Sequence, residues 1–172
     1  MDGSCASKRN ELKFIVDTAT LTDAVVDGLG ETEDVLCGGT GYGDSFVIIT
    51  EEGESAHDAI RRACVKLQVN GLIVRDLQRD LVTASQIAQR TGLTRQAVHH
   101  WMRGTRRSGA FPSPFDPTNG LWLWGEVQRW AMDTGMPVDA AGVRYPSRAD
   151  HDRAGMSIDC GWKAAVPRYS TP

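Results

Sequence analysis

Between residues 81 and 115 the sequence has no aspartate and no glutamate, yet it carries five arginines. The flanks run the other way. Residues 1–80 hold eight Lys and Arg against fifteen Asp and Glu, a net of -7, and residues 116–172 hold six against seven. The formal net charge of -3 therefore averages over a basic segment set between acidic ones. That pattern fits one module that faces an anion and another that does not. Long apolar runs are also missing, and nothing approaches the roughly 20 residues of a membrane-spanning helix. The opening MDGSCASKRNE lacks the apolar core of a secretory signal, so the expected location is cytoplasmic with no membrane partner. Paired metal ligands are absent too. Cys5, Cys37, Cys64 and Cys160 form no CxxC, and the four histidines form no HxxxH or HExxH. The sequence thus predicts no metal, no cofactor and free thiols, with Cys64 packed in a core. Nor does it assemble a nucleophile with a base. Ser55, His57 and Asp58 sit close together, but they read as a helix cap, so no enzyme activity is expected.

What is present divides the chain into a flexible N-terminus (1–10), an α/β unit (11–80), a second unit (81–135) and a tail (136–172). In the first unit ELKFIVDT (11–18), DVLCGG (34–39), SFVIITEE (45–52) and LIVRDL (72–77) read as strands. LTDAVVDGLGE (21–31) and SAHDAIRRACVKLQVNG (55–71) have helical spacing. The glycines of GGTGYGD do not match the dinucleotide fingerprint, and no helix follows them, so this stretch reads as a hairpin loop. The order βαββαβ predicts a ferredoxin-like unit: an antiparallel four-stranded sheet with both helices on one face.

The second unit opens with TASQIAQRTGLTRQAVHHWMRG (83–104). Thr83 and Gln86 have the spacing of a capping box. Gly92 fits a tight turn and Thr94 a second cap. Ile87, Ala88 and Thr91, then Ala97, Val98 and Trp101, form inward stripes, and the spacing of Ala88, Gly92, Val98 and Trp101 is that of a helix-turn-helix. The outward positions of helix 94–104 are Thr94, Arg95, Gln96, His99, His100 and Arg103, all polar and none acidic. Such a helix enters the major groove of double-stranded DNA, where Arg suits guanine and Gln suits adenine. Arg103, Arg106 and Arg107 are placed to reach phosphates, while Arg95, Gln96, His99 and His100 would read bases. The extended arm around Phe111–Phe115 and a strand LWLW (121–124) are expected to pair as a wing, with GEVQRWAMDTG (125–135) as a further helix. Trp101 and Trp130 are assigned to the core.

The pieces DLVTASQIAQRTGLTRQAVHHW, GAFPSPF and LWLWGEVQRW resemble a family of bacterial, actinobacterial-type helix-turn-helix proteins. These carry a small N-terminal α/β segment and an excisionase- or MerR-like winged helix. The resemblance covers residues 12–131 and implies DNA binding. Where the family has GPGGFP this chain has RSGAFP, and Gly125 stands where Ser usually precedes EV, a change expected only to weaken a helix cap.

The tail has weak periodicity and is expected to be mostly irregular. The whole predicts an α+β protein: a ferredoxin-like domain, a winged helix-turn-helix domain and an irregular tail. Its function is read as sequence-specific DNA binding in transcription regulation, associated with the nucleoid when bound. The chain is expected to act as a homodimer through the acidic first unit, which also offers a surface to a protein partner. Two alternatives remain: an excisionase-like DNA-bending accessory factor, and a protein-binding adaptor in which the helix pair is scaffold.

Overall fold

A computed structural model describes residues 8–31, 35–41, 43–104, 110–136, 138 and 142–162. The first strand, β1 (Lys8–Val16), alternates in burial: Asn10, Leu12, Phe14 and Val16 are buried, while Glu11, Lys13 and Ile15 lie on the more open face. A 3-10 turn (Thr18–Thr20) leads into α1 (Asp23–Gly30). Next come β2 (Val35–Gly39) and β3 (Ser45–Gly53), joined by the glycine-rich hairpin in which the Thr40 N–H donates to the Asp44 carbonyl at 2.8 Å. Helix α2 (Ala56–Val69) starts at Ser55, whose hydroxyl accepts from the Asp58 N–H, and β4 (Val74–Leu77) follows. The strand order is β2-β3-β1-β4, with every neighbouring pair antiparallel. Leu12, Phe14, Val47 and Ile49 from the sheet meet Leu29 of α1 and Ala59, Ile60, Ala63 and Leu67 of α2 in one core. Both helices therefore cover the same face. Residues 8–10 do not belong to a flexible terminus. They pair with Glu51–Gly53 as the first three residues of β1.

Cys64 lies at the edge of this core, half-buried, and burial pushes its thiol up to about 11. Cys37 is a free thiol too, raised for the same reason.

The second unit starts with β5 (Leu81–Val82), α3 (Ala84–Thr91) and α4 (Arg95–Met102). It continues with β6 (Trp122–Leu123) and α5 (Trp124–Asp133). The expected wing pairing is corrected here. β6 pairs with β5 (Leu81↔Leu123, Val82↔Trp122), not along the 111–115 arm. Backbone to backbone, among the described residues, the arm bonds the returning chain at a small turn, where the N–H groups of Phe115 and Asp116 donate to the Leu121 carbonyl and the Leu121 N–H donates back to Asp116. Side-chain packing explains the difference. The Phe111 ring lies 4.9 Å from Trp130 and 6.2 Å from Trp122, edge-on to both, and this draws the arm into the core. Trp124 is buried as the first residue of α5, not in a strand. Trp122 is half-buried, and its indole N–H donates to the Pro112 carbonyl at 3.2 Å.

The C-terminal segment is not irregular over 142–162. It forms β7 (Val143–Arg144), parallel to β1 at Arg9 and Asn10, and α6 (Arg148–Trp162). A reciprocal cap opens α6: the Ser147 N–H donates to the Asp150 carboxylate at 2.9 Å, and the Asp150 N–H donates to the Ser147 hydroxyl at 3.4 Å. Ala154 sits in the first core, against the face that α2 and β4 share. The first turns of the helix show no apolar stripe, because the residues buried there, Asp150, His151 and Ala154, are small or polar. The capping signal Ser147-Arg148-Ala149-Asp150 was nevertheless present in the sequence.

Gly125 also has a role beyond its helix cap. A Cβ there would lie 2.3 Å from the Pro146 carbonyl oxygen and 2.5 Å from that of Tyr145. The strap before α6 crosses α5 at this point, and both obstructing atoms are backbone. Gly125→Ala is expected to force the strap outward and cost about 1–3 kcal/mol, the usual range for overpacking. Denaturant unfolding of the two proteins measures this, and an unchanged midpoint would mean the strap yields without cost. Among the described residues no helix is long and apolar enough to cross a membrane.

Candidate nucleic-acid interface

The helix pair is built by local chemistry. The Gln86 N–H donates to the Thr83 hydroxyl at 3.3 Å, and the Thr83 N–H donates to the Gln86 side-chain oxygen at 2.8 Å, closing the predicted capping box. Ile87, Ala88 and Thr91 are buried, and the Thr91 hydroxyl is satisfied by the Ile87 carbonyl at 2.8 Å. Gly92 has φ +68°, the left-handed turn that glycine adopts without steric cost. The Thr94 hydroxyl accepts from the Ala97 N–H at 3.2 Å and caps α4. Inward from α4, Val98 and Trp101 join Trp124, Val127 and Trp130 in the second core. The Trp101 and Trp130 ring centroids are 5.1 Å apart, at an interplanar angle of 58°.

With one side of α4 fixed this way, Arg95, Gln96, His99, His100 and Arg103 are all exposed. Gln96, His99, His100 and Arg103 line a single shallow recess of about 470 Å³ along the helix. Arg95 and Arg103 have no carboxylate partner among the described residues. Thr94 is exposed at the N-terminal end of the same helix, with its hydroxyl committed to the cap. The structure thus brings six of the eight expected contact residues onto one helix and its cap. Arg106 and Arg107 lie outside the described residues.

One arginine of the acid-free segment takes a different part. Arg90 grips Asp80 through two nitrogens, at 2.5 and 3.0 Å, and its guanidinium lies 5.0 Å from the Trp124 ring centre. The Trp124 N–H donates to the Asp80 carbonyl at 2.9 Å, and the Trp124 ring meets Tyr145 edge-on at 6.5 Å. Burial and the neighbouring Glu11 carboxylate push the Tyr145 hydroxyl up to about 12. This chain of contacts, from Asp80 through Arg90 and Trp124 to Tyr145 and Glu11, links the helix pair to the sheet. Sequence reasoning missed it because Asp80, Arg90 and Tyr145 are far apart in the chain and carry no shared motif.

The turn after the arm is rigidly made. The Asp116 carboxylate accepts from the Asn119 side chain at 2.6 Å and from the N–H groups of Asn119 and Thr118, which together hold it below the usual carboxylate range. Elsewhere, Ser55 and Asp58 act as a cap and as an anchor for Arg61 and Arg62. Among the described residues no three His, Cys, Asp or Glu side chains gather as a metal site. No protein-family model, curated protein or solved structure matches the chain.

Proposed function

We propose that the chain is a sequence-specific DNA-binding protein, a transcriptional regulator that lays α4 in the major groove. The observation that carries this reading is the asymmetry of α4. Its inner face is locked into a tryptophan core, and its outer face offers one amide, Gln96, two imidazoles and two arginines with no carboxylate partner among the described residues, and there is no acid in the surrounding sequence. A scaffold helix would present mixed charge on that face. The antiparallel order β2-β3-β1-β4, with α1 and α2 on one face, supports a ferredoxin-like first unit. The helix pair followed by the 115–121 turn and α5 supports a winged helix-turn-helix, as does the resemblance noted above. The acidic first unit serves as the dimerisation part, because it would repel the duplex.

Selection and sequencing of bound genomic fragments supplies the site, and fluorescence anisotropy then tests its readout. Gln96→Ala is expected to leave the melting temperature unchanged and to cost about 1–3 kcal/mol at one base pair, with preference relaxed there. Arg103→Ala should weaken all sequences alike and flatten the log–log salt slope by about one. If no fragment is enriched at low salt, or if substitutions at Arg95, Gln96, His99 and His100 all leave affinity and preference intact, the helix pair is scaffold and the adaptor reading stands.

A further inference from the structure

We infer that the junction between the sheet and the helix pair is a binding site for a small organic monoanion, a carboxylate on a compact apolar body. The junction encloses a cavity of about 480 Å³, within the range that small-molecule sites occupy. Its charged lining comes from both units: Glu11 and Lys13 from β1, Arg79 and Asp80 from the connecting segment, and Arg90 from α3.

Those five charges are not all paired. Asp80 holds Arg90, and the Tyr145 hydroxyl faces the Glu11 carboxylate. Lys13 and Arg79, both half-buried, have no carboxylate partner among the described residues. Each lies instead over an aromatic face, Lys13 at 4.1 Å from the Phe46 centroid and Arg79 at 5.5 Å from that of Phe115. A ring face attracts a cation but does not neutralise it. Buried His151 at the edge of the cavity is kept neutral by desolvation, with the Arg79 charge adding to the effect. The ionised lining therefore sums to one positive charge, and one negative charge on a ligand balances it. A second would face the Glu11 and Asp80 oxygens, which disfavours phosphate and dicarboxylates. The uncharged wall combines polar Gln78, Tyr145 and His151 with an apolar part, Ile48, Leu77, Leu81 and Pro146, against which an apolar body packs.

The occupant would touch β1, the connecting segment and α3 at once, and would bear on Arg90, whose helix leads directly into α4. Binding should then change DNA affinity. That consequence rests on the DNA-binding reading, but the binding itself does not.

The test uses the full chain and its tryptophan fluorescence, because Trp124 sits between Arg90 and Tyr145. Sodium benzoate and sodium hexanoate are titrated at constant ionic strength against benzyl alcohol, hexanol, succinate and inorganic phosphate. The expected result is saturable binding of a monocarboxylate, about tenfold weaker for its neutral alcohol, the loss of one charge-assisted hydrogen bond. Arg79→Gln and Lys13→Gln, each checked for an unchanged circular dichroism spectrum, should each weaken it about tenfold as well. If one variant fails to fold, the other carries the test. No saturable binding of either carboxylate overturns the site. Equal binding of the alcohols, tighter binding of succinate or phosphate, or full affinity in a folded variant overturns the assigned chemistry. DNA affinity with and without benzoate is measured separately, so failure of DNA binding and failure of the site give different results.

Discussion

A chain ending at Gly135 is expected to be far less stable than the full chain, by about 4 kcal/mol or more. The segment it lacks looks expendable in the sequence but is built into both cores. Tyr145 packs on the second core, Pro146 and His151 are buried, and Ala154 closes the first core. At the usual worth of buried side chains, Tyr145 and Pro146 alone contribute roughly 2–4 kcal/mol, and α6 adds the cover it provides to α2 and β4. Truncation also strands polar groups. The buried Gln128 amide loses the Val143 carbonyl to which it donates at 2.9 Å, and the edge of β1 at Arg9 and Asn10 loses its partner. An orphaned buried donor adds about 1–3 kcal/mol to the cost. Set against a total of about 5–15 kcal/mol for an ordinary domain, the loss is large. Denaturant unfolding of the truncated and full chains measures it, and equal midpoints would reduce the strap and α6 to passive additions. The same reasoning applies to a fragment of residues 1–80, which would lack β7 and α6 and leave the first core open at Ala154.

The parts of the structure legible in the sequence are those fixed by local chemistry. The alternation of Leu12, Phe14 and Val16 marks β1, and the stripe of Ala59, Ile60, Ala63 and Leu67 marks α2. Thr83 with Gln86, Gly92, and Thr94 fix the ends of α3 and α4 from within a few residues. That locality is also why the outward face of α4 was readable. The rest depends on contacts between distant residues. Nothing near Leu123 marks Leu81 as its partner, because a two-residue strand has no period to detect. Phe111 looks like part of a stiff arm until Trp122 and Trp130 flank its ring. Gly125 reads as a poor cap until the Tyr145–Pro146 backbone lies across it. The junction cavity belongs to the same class. Lys13 and Arg79 are ordinary surface residues in the sequence, and only the fold brings them to one cavity, where neither has a carboxylate partner among the described residues.

Replacing Trp101 by alanine separates packing from recognition on α4. Its indole is 4 % exposed and lies against Trp130, which in turn meets Phe111. Removing it opens a cavity at the centre of the second core, and the expected loss is about 3–5 kcal/mol, the range for aromatic-to-alanine changes in a core. Relaxation around the hole would move Phe111 and the arm through Trp130, which lies against both Trp101 and Phe111. Trp101→Phe keeps a ring in place and should recover much of the stability. The proposed recognition of DNA by α4 predicts a distinct pattern. Trp101 packs into the second core on the inner side of α4, so its variants should lose DNA affinity only in proportion to the fraction unfolded, with base preference unchanged in the molecules that remain folded. Near-ultraviolet circular dichroism gives the folded fraction, and anisotropy titrations at the same temperature give affinity and preference. If folded Trp101→Phe protein binds with altered base preference, the indole sets the angle at which α4 is presented, and packing and recognition on this helix are a single property. If it binds as the parent does, the outward side chains of α4 read the duplex on their own and the tryptophan core serves only to hold them still.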